Sequence, residues 1–220
     1  MTLWLTRIVP DAGSRDARRD LSGPIGMHRR IMSLFPPDAG PDPRAQFGVL
    51  FRTEDTPAGP HLLIQSTHEP DTSRLPDSYG TALSRPLDAL IDAIRPGLTI
   101  RYRCVASPVR KPGATTRALY NLPPVVPLTG AAADEWWTRQ ADNSGLKLFT
   151  HHSRPLDAAR GERRPDSAPP QRIRHNRTQF DGTAAIIDTD LLRTSIRTGI
   201  GRGKAYGCGL LSIAPARQHQ

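Results

Sequence analysis

Two successive rounds of strand, helix, strand, strand, helix, strand predict an α+β chain of two ferredoxin-like (RRM-like) units in tandem. Three observations carry this prediction. Short apolar and β-branched runs alternate with stretches whose apolar residues recur at helical spacing. Pro96-Gly97 breaks the chain near its middle, dividing residues 1–95 from residues 98–220. The 22 prolines among 220 residues favour short elements joined by many loops.

Residues 3–9 read as the first strand and residues 10–13 as a turn. Ser14 is suited to cap a short helical stretch ending at Leu21. Ser22-Gly23-Pro24 then restarts the chain, with Pro24 placed for a helix N-terminus. Residues 24–34 form the main helix of this half. Met27, Ile31 and Leu34 recur at helical spacing, and Pro36-Pro37 stops the run. Residues 46–53 and 61–65 are two strands joined by an extended loop at 54–60. A helical piece covers residues 87–94, and the fourth strand of this half has no clear run of its own.

The second half opens with Leu98, Ile100, Tyr102 and Cys104 alternating with Thr99, Arg101 and Arg103, a half-buried strand. Residues 131–141 are helical. Trp136 and Trp137 are assigned to a core and not to base stacking, because adjacent residues on a helix cannot both face one groove. Residues 146–150 and 183–187 are strands. Residues 188–198 form a helix capped by Asp188 or Thr189 and ended by Gly199. Residues 209–214 are the last strand.

The formal net charge of +9 favours an anionic partner, most often nucleic acid. The most basic stretch, 151–178, carries Arg154, Arg160, Arg163, Arg164, Arg172, Arg174 and Arg177. It reads either as a hairpin extension or as a flexible loop that orders on RNA. Arginine suits this task because its planar guanidinium binds phosphate through two parallel hydrogen bonds. Arg163, Arg164, Arg172 and Arg174 are therefore candidate RNA contacts, as are Arg110-Lys111 and Arg29-Arg30.

A glycine-rich loop at 199–209 offers a second phosphate-binding feature. Its glycines allow close backbone approach, and Gly201-Arg202-Gly203-Lys204 combines exposed amides with two cations. It is not a nucleotide-binding motif. A Walker loop needs glycine where Thr198 stands and Ser or Thr where Ala205 stands. The helix–loop–strand order is also the reverse of the phosphate-binding folds.

No run approaches the ~20 apolar residues of a membrane span. Residues 3–9 include Arg7 and lack the features of a signal peptide. The expectation is a cytoplasmic protein with no membrane partner. Cys104 and Cys208 fall within predicted strands and read as buried free thiols. No CxxC or HxxxH spacing is present, so neither a metal site nor a cofactor is expected.

Gly199-Ile200-Gly201, Lys204, Gly207 and Gly209-Leu210-Leu211-Ser212, followed by Ala214-Pro215, resemble the C-terminal glycine-rich signature of the CasE family. These are the CRISPR RNA-processing endoribonucleases of type I-E Cascade complexes. Leu3-Trp4-Leu5-Thr6, Ser14-Arg15, Arg18-Arg19-Asp20-Leu21, Pro24 and Met27-His28-Arg29 follow the order of the family's N-terminal half. The central hundred residues match only in the order of elements. The resemblance implies two tandem ferredoxin-like domains. It also implies a CRISPR repeat stem-loop as substrate, retention of the mature crRNA, and other Cascade subunits as partners.

The resemblance also places His28 at the family's catalytic histidine. The chemistry suits that residue, since RNA carries its own 2′-hydroxyl nucleophile. A histidine can take its proton or protonate the 5′ leaving oxygen, with no metal required. One position departs from the pattern: Ile25 stands where the family usually has tyrosine. Tyr206 in the glycine loop is the candidate substitute. The alternative reading is a non-catalytic RNA-binding subunit, and a further one is an unrelated basic protein of the same architecture.

Overall fold

The computed structural model describes residues 2–37, 40–163 and 171–216. Along β1 (Trp4–Pro10) the buried Thr6 and Ile8 flank the exposed Arg7. This alternation gives the strand one core face. After α1 (Arg15–Leu21), α2 (Pro24–Met32) and the short α3 (Pro43–Gln46) come β2 (Leu50–Thr56), β3 (Gly59–Ser66), β4 (Gly80–Pro86) and α4 (Asp88–Asp92). The first sheet is antiparallel with order β2-β3-β1-β4. Its core joins Ile8, Leu62 and Ile64 to Met27, Ile31 and Leu34.

The second half contains β5 (Thr99–Ala106), β6 (Val109–Arg110), α5 (Ala114–Leu119), β7 (Val126–Pro127) and α6 (Ala131–Asn143). It continues with β8 (Leu146–Arg163), β9 (Gln171–Ile186), α7 (Thr189–Thr198) and β10 (Leu211–Pro215). Its sheet has order β10-β5-β9-β8, again antiparallel. Both four-stranded orders are that of the ferredoxin-like motif, so the expected fold class holds. Trp136 and Trp137 are both core residues. Trp137 stacks on Phe180 at 4.8 Å and donates its indole N–H to the Tyr102 hydroxyl. Cys104 and Cys208 are buried free thiols, each pushed up to about 12 by burial.

Several local expectations hold for the stated reasons. Ser14 Oγ accepts from the Ala17 amide at the start of α1. Pro24 opens α2. Asp188 caps α7 by accepting from the amides of Asp190 and Leu191, and Gly199 at φ 73° ends that helix.

Others change. The fourth strand of the first half is β4 and precedes its helix, α4. Its side chains are exposed except for half-buried Ala82 and Ser84, so it lacks the apolar run that marks a core strand. Ile91 and Ile94 beside it pack into the second core, together with Leu3. Gln46 belongs to α3, not to a strand, because Asp42 accepts from the Ala45 amide and caps that turn. The loop between β2 and β3 is a tight turn, closed by the Thr56 hydroxyl donating to the Gly59 carbonyl. Within the stretch 151–178, residues 151–163 and 171–178 form the arms of a long hairpin, with β8 and β9 paired as far as Arg163 opposite Gln171.

Buried polar groups fasten the two sheets together. Arg52 of β2 is 2% exposed. Its guanidinium donates to Glu54 at 2.6 Å, to the Leu210 carbonyl at 3.1 Å and to Ser212 Oγ at 3.0 Å. Gln65 donates to the Ile196 carbonyl at 2.6 Å. These bonds tie both flanks of the glycine loop, which lies between α7 and β10, to β2 and β3.

Candidate active site

The position of His28 follows from the packing of its helix. Met27 and Ile31 of α2 point into the first core, at 3% and 0% exposure. One residue along the helix turns the side chain by about 100°, so His28 emerges at the edge of that core. Its ring lies 6.5 Å from that of Phe51 on β2, inclined by 26°. Beyond it opens a cleft lined by Ile25, His28, Arg29, Arg44, Glu162 and Tyr206, with Asp42 at its margin. These residues come from α2, α3, the β8–β9 hairpin and the glycine loop.

The cleft controls the charge of His28. Burial pushes its imidazole below the ordinary value of 6.5, the nearby Arg44 pushes in the same direction, and Asp42 opposes them. The ring is thus neutral at neutral pH and can accept a proton. Among the described residues the buried Nδ1 of His28 has no hydrogen-bond partner. Arg29 is exposed beside it, and Arg44 donates to the Val49 carbonyl at 3.5 Å. A neutral imidazole in a cleft that two arginines also line can deprotonate a hydroxyl next to a bound anion.

The glycine loop supplies the opposite wall. Gly203 and Gly207 both take left-handed conformations, at φ 77° and 79°. They bracket a 3₁₀ turn, Lys204–Tyr206, packed against α2 and β2. A side chain at either position would be strained. Lys204 donates to the Thr198 carbonyl at 2.6 Å, and burial followed by Arg44 lowers its pKa. Arg202 is exposed. A Cβ on Gly201 would lie 3.2 Å from the Trp136 ring, so this glycine meets the core.

The predicted site residues are therefore only partly brought together. His28 and Arg29 share the cleft, and Lys204 adjoins it. Arg30 turns away, donating to Asp20 at 2.6 Å with its guanidinium 5.2 Å from the Tyr79 ring centroid. Arg110 and Lys111 are exposed on and beside the β6–β7 ribbon. Arg174 is exposed on the hairpin opposite Arg160. Backbone register sets Arg172 opposite Glu162. Arg164, and the side chains of Arg163 and Arg172, lie outside the described residues. Among the described residues no group of three or more His, Cys, Asp and Glu could hold a metal ion.

Sequence reasoning missed Asp42, Arg44, Glu162 and His175. Asp42-Pro43 is a helix-start pattern that would have placed Arg44 on a short helix. Nothing local marks Glu162 or His175. Ile25 has a packing role: a Cβ on Gly161 would lie 2.8 Å from Ile25 Cγ1, and closer still to Cδ1. The hairpin thus seats its glycine on the isoleucine, one helical turn from His28.

The family described as CRISPR associated protein matches residues 3–215. The chain is 30% identical over 224 residues to the CRISPR-associated endoribonuclease Cse3 of Thermus thermophilus, covering 97% of this chain and 100% of that protein. It is 27% identical over 223 residues to the CRISPR system Cascade subunit CasE of Escherichia coli K12, covering 94% and 96%. The structure of Thermus thermophilus Cse3 bound to an RNA representing a pre-cleavage complex aligns with a TM-score of 0.78 at 29% identity, over 98% of this chain and 100% of that one. A match along nearly the whole length, on a shared fold, establishes that this chain belongs to the CRISPR-associated protein family of Cse3 and CasE.

Proposed function

We propose that the protein is a metal-independent endoribonuclease that cuts CRISPR precursor RNA at the 3′ base of the repeat stem-loop. It then keeps the mature crRNA as a Cascade subunit. One observation carries the reading above the others: His28 lies in an open cleft that Arg29 and Arg44 also line. The relatives' names support the substrate class, one being an endoribonuclease and the other a Cascade subunit.

His28 accepts the proton of the 2′-hydroxyl, whose oxygen attacks the adjacent phosphorus. Arg29 and Arg44 stabilise the added negative charge of the phosphorane. The bond to the 5′ oxygen breaks, leaving a 2′,3′-cyclic phosphate and a 5′-hydroxyl. Stem recognition falls to the hairpin arginines and the glycine loop, through phosphates and 2′-hydroxyls of an A-form helix. We place His28 on the N-terminal unit, residues 1–95, and the hairpin and loop on the C-terminal unit, residues 98–220.

The second reading, a binder without activity, draws on Ile25, which offers no hydroxyl. Incubation with the cognate repeat RNA in excess EDTA separates the two. The nuclease reading predicts one cut, with a cyclic phosphate on the upstream product. Tight binding with intact RNA would favour the second reading.

A further inference from the structure

A base at His28 leaves half of the proton traffic unassigned, because the departing 5′ oxygen must gain a proton. We infer that Tyr206 is a second catalytic residue, donating its phenolic proton to that oxygen, and that His175 is the positioning residue that holds its ring. This inference rests on the nuclease reading above.

The residues facing the cleft narrow the choice. Arg29 and Arg44 carry guanidinium groups, which do not release a proton in proteins. Asp42 and Glu162 carry carboxyl groups, a type that in its ionised form only accepts hydrogen bonds. Ile25, Pro41 and Ala205 have nothing to give. Among the described residues lining the cleft, Tyr206 alone carries a hydroxyl.

The loop holds this residue firmly. The Tyr206 amide donates to the Gly203 carbonyl at 2.8 Å, and the Cys208 amide donates to the same carbonyl at 3.2 Å. The turn packs on α2, the helix that bears His28. On its other side the Tyr206 ring meets the half-buried His175 of β9, centroids 4.8 Å apart and planes inclined by 31°. A Cβ on Gly203 would lie 3.4 Å from His175 Nδ1, so the glycine that shapes the turn also admits the histidine. Near His175 among the described residues are Tyr206, Gly203 and Arg202, with Ala159 paired across the hairpin. Burial, then Arg202, lowers the His175 pKa, so the ring is neutral and does not repel Arg202.

The step balances. The 2′-hydroxyl proton passes to His28, the bond from O2′ to phosphorus forms, and the bond from phosphorus to O5′ breaks. The electron pair left on O5′ takes the Tyr206 proton. Imidazolium and phenolate remain, and one proton moving from His28 to Tyr206, directly or through water, restores both.

The test compares the cognate repeat RNA with the same RNA carrying sulfur in place of the bridging 5′ oxygen. A thiolate leaves without protonation, since thiols ionise near ~8.5. Tyr206→Phe keeps the ring, and RNA affinity reports whether the protein is folded. The expected result is a single-turnover rate lower by about 10²-fold or more on the oxygen substrate, a typical loss for a general acid. Affinity should be unchanged, and the sulfur substrate should be cut at the wild-type rate. His175→Ala should show a smaller loss with the same sulfur rescue, and His175→Phe should restore the oxygen rate. His28→Ala should stay slow on both substrates, because the 2′-hydroxyl proton must still be taken. Equal slowing of Tyr206→Phe on both substrates, or no slowing, would overturn the inference and leave the nuclease reading standing. Wild-type protein that cuts neither substrate would overturn both.

Discussion

Gly161→Ala should lift the hairpin off α2, and Ile25→Ala should set it back. An added methyl would lie 2.8 Å from Ile25 Cγ1 and closer still to Cδ1. Carbon atoms rest at about 3.5–4.0 Å, so Ile25 must move by roughly 1 Å or the strand must rise. Overpacking of this kind costs about 1–3 kcal/mol. If the strain is relieved by undocking, RNA must reseat the hairpin, and affinity or single-turnover rate falls by the corresponding factor of about 5–150. The sign is informative, because replacing a strand glycine by alanine ordinarily stabilises. The assay is a double-mutant cycle read by repeat-RNA affinity and cleavage rate. With Ile25→Ala already present, Gly161→Ala should cost almost nothing. If its cost is the same in both backgrounds, the two residues do not meet, and the hairpin does not seat on the helix as described.

Because His28 acts in its neutral form, activity should be lost as pH falls through its pKa, which lies below 6.5. In a pH–rate profile, Arg44→Ala should move this acid limb to higher pH and Asp42→Asn to lower pH, with Asn preserving the helix cap. Arg52→Met removes the donor shared by Glu54, Ser212 and the Leu210 carbonyl and leaves Glu54 the longer bond from Arg103 at 3.4 Å. A loss of about 1–3 kcal/mol, that of a buried acceptor left unpaired, should lower the calorimetric Tm by about 2–12 °C. Replacing Arg160 and Arg174 by alanine should reduce the log–log salt slope of RNA binding by somewhat under ~1 for each phosphate left without its arginine, by analogy with counterion release on DNA.

Elements that carry their own signal were legible in the sequence. The alternation of Ile100, Tyr102 and Cys104 marks β5, and Asp188 and Gly199 bound α7. β4 was not legible, because an edge strand with exposed side chains shows no apolar run. The hairpin stayed ambiguous for a related reason. Its outer arms are polar, and only pairing with each other makes them strands. Within the site, His28 stood out through its resemblance to a family position. Asp42, Arg44, Glu162 and His175 did not, since each joins the cleft or its rim through packing between distant segments. Ile25 was read as a missing hydroxyl, and its contact with Gly161 becomes visible only when the hairpin is in place.

His28 carries the proposed mechanism, and single-turnover cleavage of the cognate repeat RNA by His28→Ala tests it most directly. Affinity should be measured on the same samples. Loss of a general base slows reactions by about 10²–10⁴-fold, so cleavage should fall by at least that much while repeat binding stays nearly unchanged. Cleavage at the wild-type rate would contradict the mechanism outright, and parallel loss of binding would make His28 an RNA contact instead of the base.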